Sequence, residues 1–473
     1  MEEIVIDFIK LEYKKPDHWI YDIETYPNFF CVAFENTQTG LKMFYEISTR
    51  INQLNNLLLF LKYCQIEKHT FIGFNSLSFD YPVIHYIIVN HNRTTLDDIY
   101  EKAQSIINTP WSLRFSTIVK QPLIRQIDLQ KIHHFDNTAK MTGLKTLEIN
   151  MGMDSVEELP ITPGTMLSNE QMNSLGKYNF HDTDATNWLF NSTLDQIELR
   201  EVLSKQYKVD MTNYPDSKIG SAIFTDAFKK RGLPIKGATP RSSINFNDCI
   251  LPFIQFERTE FTRILHYLKS QTVTETKGVF KDLIASVEGV DYVFGSGGIH
   301  GSVDHKSFFA DDQYDAILSD VVSYYPNLAI KNTFYPEHLG PGFCEIYDEL
   351  FKKRKSYHKG SPENAALKLA LNSAYGNSNS EYSNLYDPQF TMKITLNGQL
   401  LLAMLIEQLI KIPSLEMIFA NTDGVMYRVA RTERDIAMEI CGWWESITKL
   451  ELEHEYYKKA FVSDVNNYIL ESI

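Results

Sequence analysis

The first part of the chain alternates short apolar runs with longer segments of helical periodicity. Trp19–Tyr21 and Thr70–Phe74 are rich in aromatic and β-branched side chains, which is typical of buried strands. Leu54–Tyr63 repeats its apolar residues at the spacing of a helix that packs on a core. This alternation predicts an α/β domain at the front of the chain.

The pattern weakens over residues 195–282, where polar segments and turn signals predict a connecting region. A glycine-rich stretch at 295–298 then interrupts the chain. Beyond it we predict a strand at Ala316–Leu318 and helices at Ala365–Tyr375 and Gly398–Ile410. The whole pattern indicates a multidomain protein with α/β and α+β parts.

Composition changes this picture only in detail. The net charge of −14 disfavours nucleic-acid binding at first sight, but an enzyme that gathers cations on carboxylates is locally acidic and needs positive charge only along one groove. The run Lys352–Lys355 supplies such charge. Five scattered cysteines predict reduced core thiols. The acidic start and the lack of a long apolar run predict a cytoplasmic protein without a membrane span.

Acidic residues form the first candidate site. Asp22 and Glu24 lie two residues apart on a predicted strand, so both carboxylates point to the same face. Such a pair alone is more often a solvated strand edge. Two further segments change this interpretation, namely Asn75–Asp80 after the second strand and Tyr178–Asp182 at an apolar helix. Asp184 is predicted to lie on the helix surface.

The second candidate site combines an aspartate at a strand end with a helix and a turn. Asp320 ends the predicted strand. Lys368–Gly376 places a cation, an amide and an aromatic ring on one helical face, at spacings of four, three and seven residues. Asn421–Gly424 lies between two apolar runs and predicts a β-hairpin turn that brings Asp423 toward Asp320.

In this order, the motifs D-x-E, N-x3-F-D, Y-x3-D, D-x4-Y, K-x3-N-S-x-Y-G and T-D-G resemble those of family B DNA polymerases, over residues 21–468. The resemblance implies an RNase H-like exonuclease domain followed by a polymerase palm with small helical fingers. The implied boundaries are 1–200 for the exonuclease, 201–284 for a connecting region, 285–340 for the first part of the palm, 341–384 for the fingers and 385–473 for the rest of the palm.

For the exonuclease, the resemblance implies that Tyr178 orients the attacking water and that Asn75 and Phe79 contact a single strand. Segments 127–129 and 143–147 also resemble the family, and we assign them structural roles only. The implied metal ligands are Asp22, Glu24, Asp80 and Asp182.

For the polymerase, the resemblance implies that Asp320 and Asp423 hold the catalytic metal ions. Each active site would use two ions, Mg²⁺ or alternatively Mn²⁺. Tyr325 would contact the sugar of the incoming nucleotide, and Tyr324 would pack in the core. The remaining implied nucleotide contacts are Arg354, Lys368, Asn372 and Tyr375, with Lys352, Lys353 and Lys355 as competitors of Arg354 and His358 as a helper. The implied DNA contacts are Gly297, Gly298 and Tyr468.

Two positions depart from the family pattern. Asn421 replaces the first acid of the usual D-T-D, and the lysines that normally precede Tyr468 are asparagines. The family also continues into a thumb where this sequence stops. We therefore expect either a truncated or minimal form, or a second polypeptide that supplies the thumb or a processivity factor.

The resemblance implies a proofreading DNA-directed DNA polymerase of bacteriophage type, acting on primer-template DNA and dNTPs in viral DNA replication. Two alternatives remain open at this stage. One is a 3′→5′ exonuclease with an idle polymerase half. The other is a non-catalytic subunit that binds primer-template within a replication complex.

Overall fold

The computed structural model describes residues 17–473 except 138–140, 234 and 236. It is a mixed α/β structure with two compact units, one up to Asp216 and one from Ser217 onward. The division into five domains is not tested by this and stays a prediction. Within the described residues, no helix combines the length and apolar character that crossing a membrane requires.

The first unit contains a five-stranded mixed sheet with the strand order β3-β2-β1-β4-β5. The first three strands are antiparallel, and β4 and β5 run parallel to β1. All eight residues of β2 are buried, as expected of a strand covered on both faces. The strands are β1 (His18–Tyr26), β2 (Phe29–Asn36), β3 (Lys42–Ser48), β4 (Thr70–Gly73) and β5 (Arg125–Asp128).

Alternation along β1 separates core residues from acids. Trp19, Tyr21 and Ile23 pack into a large apolar cluster on one face of the sheet. Asp22 and Glu24 therefore point to the opposite face. The helices of this unit are α1 (Leu54–Ile66), α2 (Asp80–Asn90), α3 (Leu96–Ile107), α4 (Leu129–Ile132), α5 (Leu144–Asn150) and α6 (Asn169–Tyr207).

The long helix α6 packs on β1 and β2. It begins with a capping box, in which Ser168 and Gln171 satisfy each other's backbone N–H groups. Its buried residues recur every three or four positions, and Tyr178 and Asp182 belong to that buried stripe. The periodicity therefore turns both side chains toward the sheet.

The second unit is built on a nine-stranded antiparallel sheet, in which eight strands follow the order β11-β15-β12-β14-β13-β10-β9-β8 and the ninth, β16, pairs with β15. A separate pair is formed by β6 (Ile244–Asn245) and β7 (Thr272–Val273). The strands of the large sheet are β8 (Ile284–Val287), β9 (Val290–Gly295), β10 (Gly298–Ser302), β11 (Lys306–Phe309), β12 (Tyr314–Val321), β13 (Glu416–Asn421), β14 (Gly424–Ala430), β15 (Leu452–Asp464) and β16 (Asn467–Ser472).

The predicted strand, the two predicted helices and the predicted hairpin turn of this unit are confirmed. The helix α12 is buried along nearly its whole length and forms the centre of the core. The helices are α7 (Asp216–Lys230), α8 (Thr259–Ser270), α9 (Tyr324–Asn332), α10 (Gly342–Lys355), α11 (Pro362–Asn377), α12 (Pro388–Leu409) and α13 (Arg434–Thr448).

The helices α10 and α11 form a hairpin, and α7 packs against it. The Tyr347 hydroxyl donates to the Leu371 carbonyl oxygen at 2.6 Å and links the two helices of the hairpin. Phe224 of α7 stacks on Phe343 of α10 with ring centroids 5.7 Å apart. A Cβ on Gly220 would lie 2.7 Å from the Leu369 carbonyl oxygen, so α7 touches the backbone of α11.

All five cysteines are buried and free, as predicted.

Candidate active sites

The first candidate site lies where β1 faces α6. Carboxylate oxygens of Asp22, Glu24 and Asp182 all lie within 4.8 Å of one another. Asp80, the first residue of α2, accepts the Ile23 N–H at 3.2 Å, which attaches this carboxylate to β1. The structure thus brings the four predicted acids together beside β1, although Asp22 and Asp182 are 160 positions apart in the sequence.

A buried aspartate shapes the loop that carries Asn75 and leads to Asp80. Asp128 accepts the backbone N–H of Asn75 at 2.9 Å and of Leu77 at 3.0 Å. Asn75 has a left-handed backbone with φ of 59°, which asparagine tolerates better than most residues. These contacts agree with the structural role predicted for segment 127–129. Phe79 packs partly buried against the apolar cluster beneath the loop.

Burial and mutual repulsion raise the pKa values of the acids of this site. Burial raises the pKa of Glu24 to about 8, with added repulsion from Asp182 and Asp80. Burial likewise raises the pKa of Asp80 to about 7 and that of Asp22 well above its usual range. Burial also raises the pKa of Asp182, although hydrogen bonds from Lys145 and Tyr178 oppose the shift.

Sequence reasoning missed three residues of this site. Lys145 on α5 donates to Asp182 at 2.5 Å and to Glu148 at 3.1 Å, and its ammonium lies 4.6 Å from the Tyr178 ring centroid. His181 donates to the same Glu148 at 3.1 Å. The purely structural role predicted for segment 143–147 therefore leaves out a direct contact with a site carboxylate. A lysine followed three residues later by glutamate on a short helix was the available signal.

A neighbouring amide completes the surroundings of Asp22. The Asn179 side chain donates to Asp22 at 2.6 Å and accepts the Cys31 thiol at 3.7 Å. Asp184, two residues beyond Asp182, is exposed and forms an ion pair with Lys42. Its predicted position on the helix surface is confirmed.

The second candidate site is formed by β12 and the β13–β14 turn. In the ladder of β12 with β14, Asp320 lies opposite Gly424, the residue after Asp423. The turn is held by Thr422, which has φ of 58° and donates its N–H to the Ile299 carbonyl oxygen at 2.9 Å. Asp320 on β12 therefore lies beside the turn that carries Asp423.

Negative charge accumulates on this face of the sheet. The cross-strand partner of Asp320 on β15 is Glu453, and Glu455 follows on the same face. Burial raises the pKa of Asp320 to about 6, with further contributions from Asp423, Glu455 and Glu453. Burial also raises the pKa of Asp423.

Two predicted tyrosines face each other beside the glycine-rich segment. The ring centroids of Tyr325 and Tyr375 lie 4.5 Å apart. The Tyr325 hydroxyl donates to the Gly297 carbonyl oxygen at 2.8 Å. Gly298 has φ of 135°, and a Cβ there would lie 3.3 Å from the Tyr325 hydroxyl oxygen, so glycine suits both the backbone and the approach of the ring.

Tyr324 has the packing role that we predicted. It is buried, and its hydroxyl donates to the Gly398 carbonyl oxygen of α12 at 2.6 Å.

The cations at the end of α10 differ in their surroundings. Arg354 donates to the Ser323 hydroxyl at 3.3 Å, which places it beside the residue that directly precedes α9. Lys352 pairs with Asp348 at 2.5 Å, and Lys355 lies 3.5 Å from Glu451. Arg354 is thus the one of these three that faces the start of α9, the helix that carries Tyr325.

The Arg354 guanidinium is partly desolvated. Its Nε atom is buried and has no hydrogen-bond partner within the described part of the chain. Burial lowers the pKa of Arg354, as expected for a cation that has lost part of its hydration. On α11, Lys368 and Asn372 are exposed and Tyr375 is partly buried, so the predicted helical face borders solvent.

The two positions that depart from the family pattern have defined partners. The Asn421 side chain donates to the Val465 carbonyl oxygen at 3.2 Å, which ties the β13–β14 turn to the β15–β16 turn. An aspartate could not donate this bond. Tyr468 stacks on Phe419 of β13 with centroids 4.7 Å apart and is 39% exposed.

Comparison with known proteins gives a likeness of fold. No protein-family model matches the sequence, and neither does any curated protein sequence. Among solved structures, the chain is similar to the family B DNA polymerase from the hyperthermophilic archaeon Pyrobaculum calidifontis, with a TM-score of 0.51 and 14% sequence identity. The match covers 96% of this chain and 58% of that polymerase. The chain therefore has a family B polymerase-like fold.

Proposed function

We propose that the chain is a DNA-directed DNA polymerase with a 3′→5′ exonuclease, the latter in an RNase H-like first unit. The observation that carries this proposal is the presence of two separate carboxylate sites in one chain of polymerase-like fold. One is the cluster of Asp22, Glu24 and Asp182, and the other is Asp320 with Asp423. A chain that both adds and removes nucleotides needs two such sites.

Both sites fit divalent cations such as Mg²⁺ or Mn²⁺. Their donors are carboxylate oxygens, which are the ligands that hard cations prefer. Burial, together with repulsion from neighbouring carboxylates, raises the pKa values of Glu24 and Asp320, and a bound cation would favour the charged forms of both. When bound, such ions polarise phosphate oxygens and water. Asp22, Glu24, Asp80 and Asp182 would hold them in the first site, and Asp320 and Asp423 in the second.

In the exonuclease, the protein groups orient the reactants. Tyr178 lies beside Asp182 and is suited to align a water molecule, and Lys145 places positive charge next to the same carboxylate. Asn75 and Phe79, on the loop before Asp80, would hold the single-stranded end. This geometry supports hydrolysis of a terminal phosphodiester, with a proton leaving the attacking water and the released 3′-hydroxyl taking one up.

In the polymerase, the primer 3′-hydroxyl would attack the α-phosphate of a dNTP in line with the departing pyrophosphate. Arg354 and Lys368 would neutralise the triphosphate. Tyr325, held by Gly297, would press against the sugar where a ribonucleotide carries its 2′-hydroxyl. Its neighbour Tyr375, whose ring lies 4.5 Å away, would support the nascent base pair.

Extension and degradation of a 5′-labelled primer on a template test the proposal. With Mg²⁺, we expect shortened products without dNTPs and extended products with them, and neither when EDTA is present. Shortening alone would indicate an exonuclease with an idle polymerase half. Binding of the duplex without any change of length would indicate a non-catalytic subunit of a replication complex.

A further inference from the structure

Glu148 is a buried carboxylate in the first unit that the proposed reaction has not used. It is 0% exposed and accepts two hydrogen bonds at 3.1 Å, one from Lys145 and one from the Nε2–H of His181. A carboxylate loses several kcal/mol of hydration on burial, so it persists in the charged form only where such partners replace water. Burial of this kind is unusual enough to indicate a specific role.

One interpretation of this cluster is a further cation site. Ligand atoms of Glu148, His181 and Asp182 do lie within 4.8 Å of one another. However, the Lys145 ammonium donates to both Glu148 and Asp182, so a protein cation already stands between the two carboxylates. The cluster is therefore better described as a set of side chains that holds the Lys145 ammonium in place.

We propose that Glu148 is a positioning residue of the exonuclease, which holds the Lys145 ammonium against Asp182 and beside the Tyr178 ring. His181 fixes the Glu148 carboxylate from its other oxygen. This inference rests on the proposed exonuclease function.

The arrangement constrains which step Glu148 influences. Glu148 is fully buried and its carboxylate is bound by Lys145 and His181, so it does not touch the substrate. Lys145 without this partner could leave Asp182 and turn to solvent, because its side chain is already 24% exposed. A fixed charge beside the reacting phosphate contributes to the transition state more than to binding. Loss of Glu148 should therefore lower kcat and leave KM for the single strand nearly unchanged.

The test compares single-turnover and steady-state degradation of a single-stranded oligonucleotide by full-length variants. We expect Glu148→Gln and Lys145→Ala each to lower kcat by about tenfold or more, with KM within about twofold. Because both act through the same ammonium, Lys145→Ala combined with Glu148→Gln should be no slower than Lys145→Ala alone. Glu157→Gln is the matched control, since that carboxylate lies 4.0 Å from His181 and is half exposed.

A second measurement does not depend on activity. Pulse labelling of amines, read by mass spectrometry, should modify Lys145 faster in Glu148→Gln than in the wild type, because its Nζ atom becomes exposed. If Glu148→Gln does not fold, His181→Leu decides the question, because it keeps the contact of Glu148 with Lys145 and removes only the second support of the carboxylate, so that both the fall in kcat and the increase in labelling should be smaller but present.

The outcomes separate the two proposals. A wild-type chain that leaves DNA intact overturns the exonuclease, whereas the labelling result still reports whether Glu148 holds Lys145. An active wild type whose Glu148→Gln variant behaves like Glu157→Gln overturns the positioning role. Multiplicative losses in the double variant also overturn it, because they would mean that the two residues act independently.

Discussion

Asp320 and Gly424 lie directly opposite each other on β12 and β14, and the aspartate side chain occupies the space where residue 424 would carry a Cβ. A Cβ built there would lie 2.8 Å from the Asp320 Cγ atom and closer still to its Oδ1 atom. The absence of a side chain at Gly424 therefore leaves room for the Asp320 carboxylate of the neighbouring strand. Neither residue can be understood from its own segment alone.

Gly424→Ala should consequently abolish primer extension by displacing Asp320, while the exonuclease of the first unit persists. Gly442→Ala is the control, because a Cβ there meets nothing within 4 Å and an alanine in the interior of α13 should stabilise it by about 0.5–1 kcal/mol. Extension and degradation assays, with thermal unfolding of both variants, check the expectation. Unimpaired extension by Gly424→Ala would contradict the role given to Asp320.

Asp22→Ala combined with Glu24→Ala should remove degradation of single-stranded 3′ ends and leave nucleotide addition intact, since two of the three clustered carboxylates are lost. Asp184→Asn changes an exposed carboxylate of α6 and should retain full nuclease activity. Gel assays with labelled oligonucleotides distinguish these results. A double variant that still degrades DNA at the wild-type rate would show that the nuclease lies elsewhere.

Tyr325→Ala should increase incorporation of ribonucleotides relative to deoxyribonucleotides, because it removes the ring that would meet the 2′-hydroxyl. Tyr325→Phe keeps the ring and loses only the hydrogen bond to Gly297, so it should keep most of the discrimination. The ratio of kcat/KM for the two substrates is the measurement. If both variants discriminate like the wild type, another residue excludes the ribonucleotide.

Arg354→Ala should raise the KM for dNTP by about tenfold or more, in the range expected when a partly buried charge-assisted contact to phosphate is lost. Lys352→Ala is the matched control, because Lys352 already pairs with Asp348 on the outer face of α10. Single-nucleotide extension at varied dNTP concentration gives both values. A larger effect of Lys352→Ala would transfer the triphosphate contact to that lysine.

Local pattern predicted those features whose physical cause is local. The period of two along β1 placed Asp22 and Glu24 on one face, and the turn at Asn421–Gly424 follows from two apolar runs around short turn residues. The same holds for the face of α11 that carries Lys368. Each of these depends on neighbours within one element.

Features that depend on distant pairing were not predictable in this way. Lys145 and Glu148 belong to the site because they contact Asp182 and His181 on another helix. The spacing within α5 shows only that a lysine and a glutamate share a face. Likewise, the four consecutive basic residues at 352–355 cannot be told apart in sequence. The hydrogen bond of Arg354 to Ser323, at the start of another helix, shows that Arg354 faces the second site.

The contact of α7 with the α10–α11 hairpin determines what can move. Gly220 lets α7 touch the backbone of α11, and Arg231, just beyond α7, forms ion pairs with Glu345 and Glu349 of α10. Sliding the hairpin past α7 would force the Ser373 side chain into the helix backbone at Gly220. We therefore expect that any pivoting of the hairpin carries α7 with it, so that the three helices move as one rigid group.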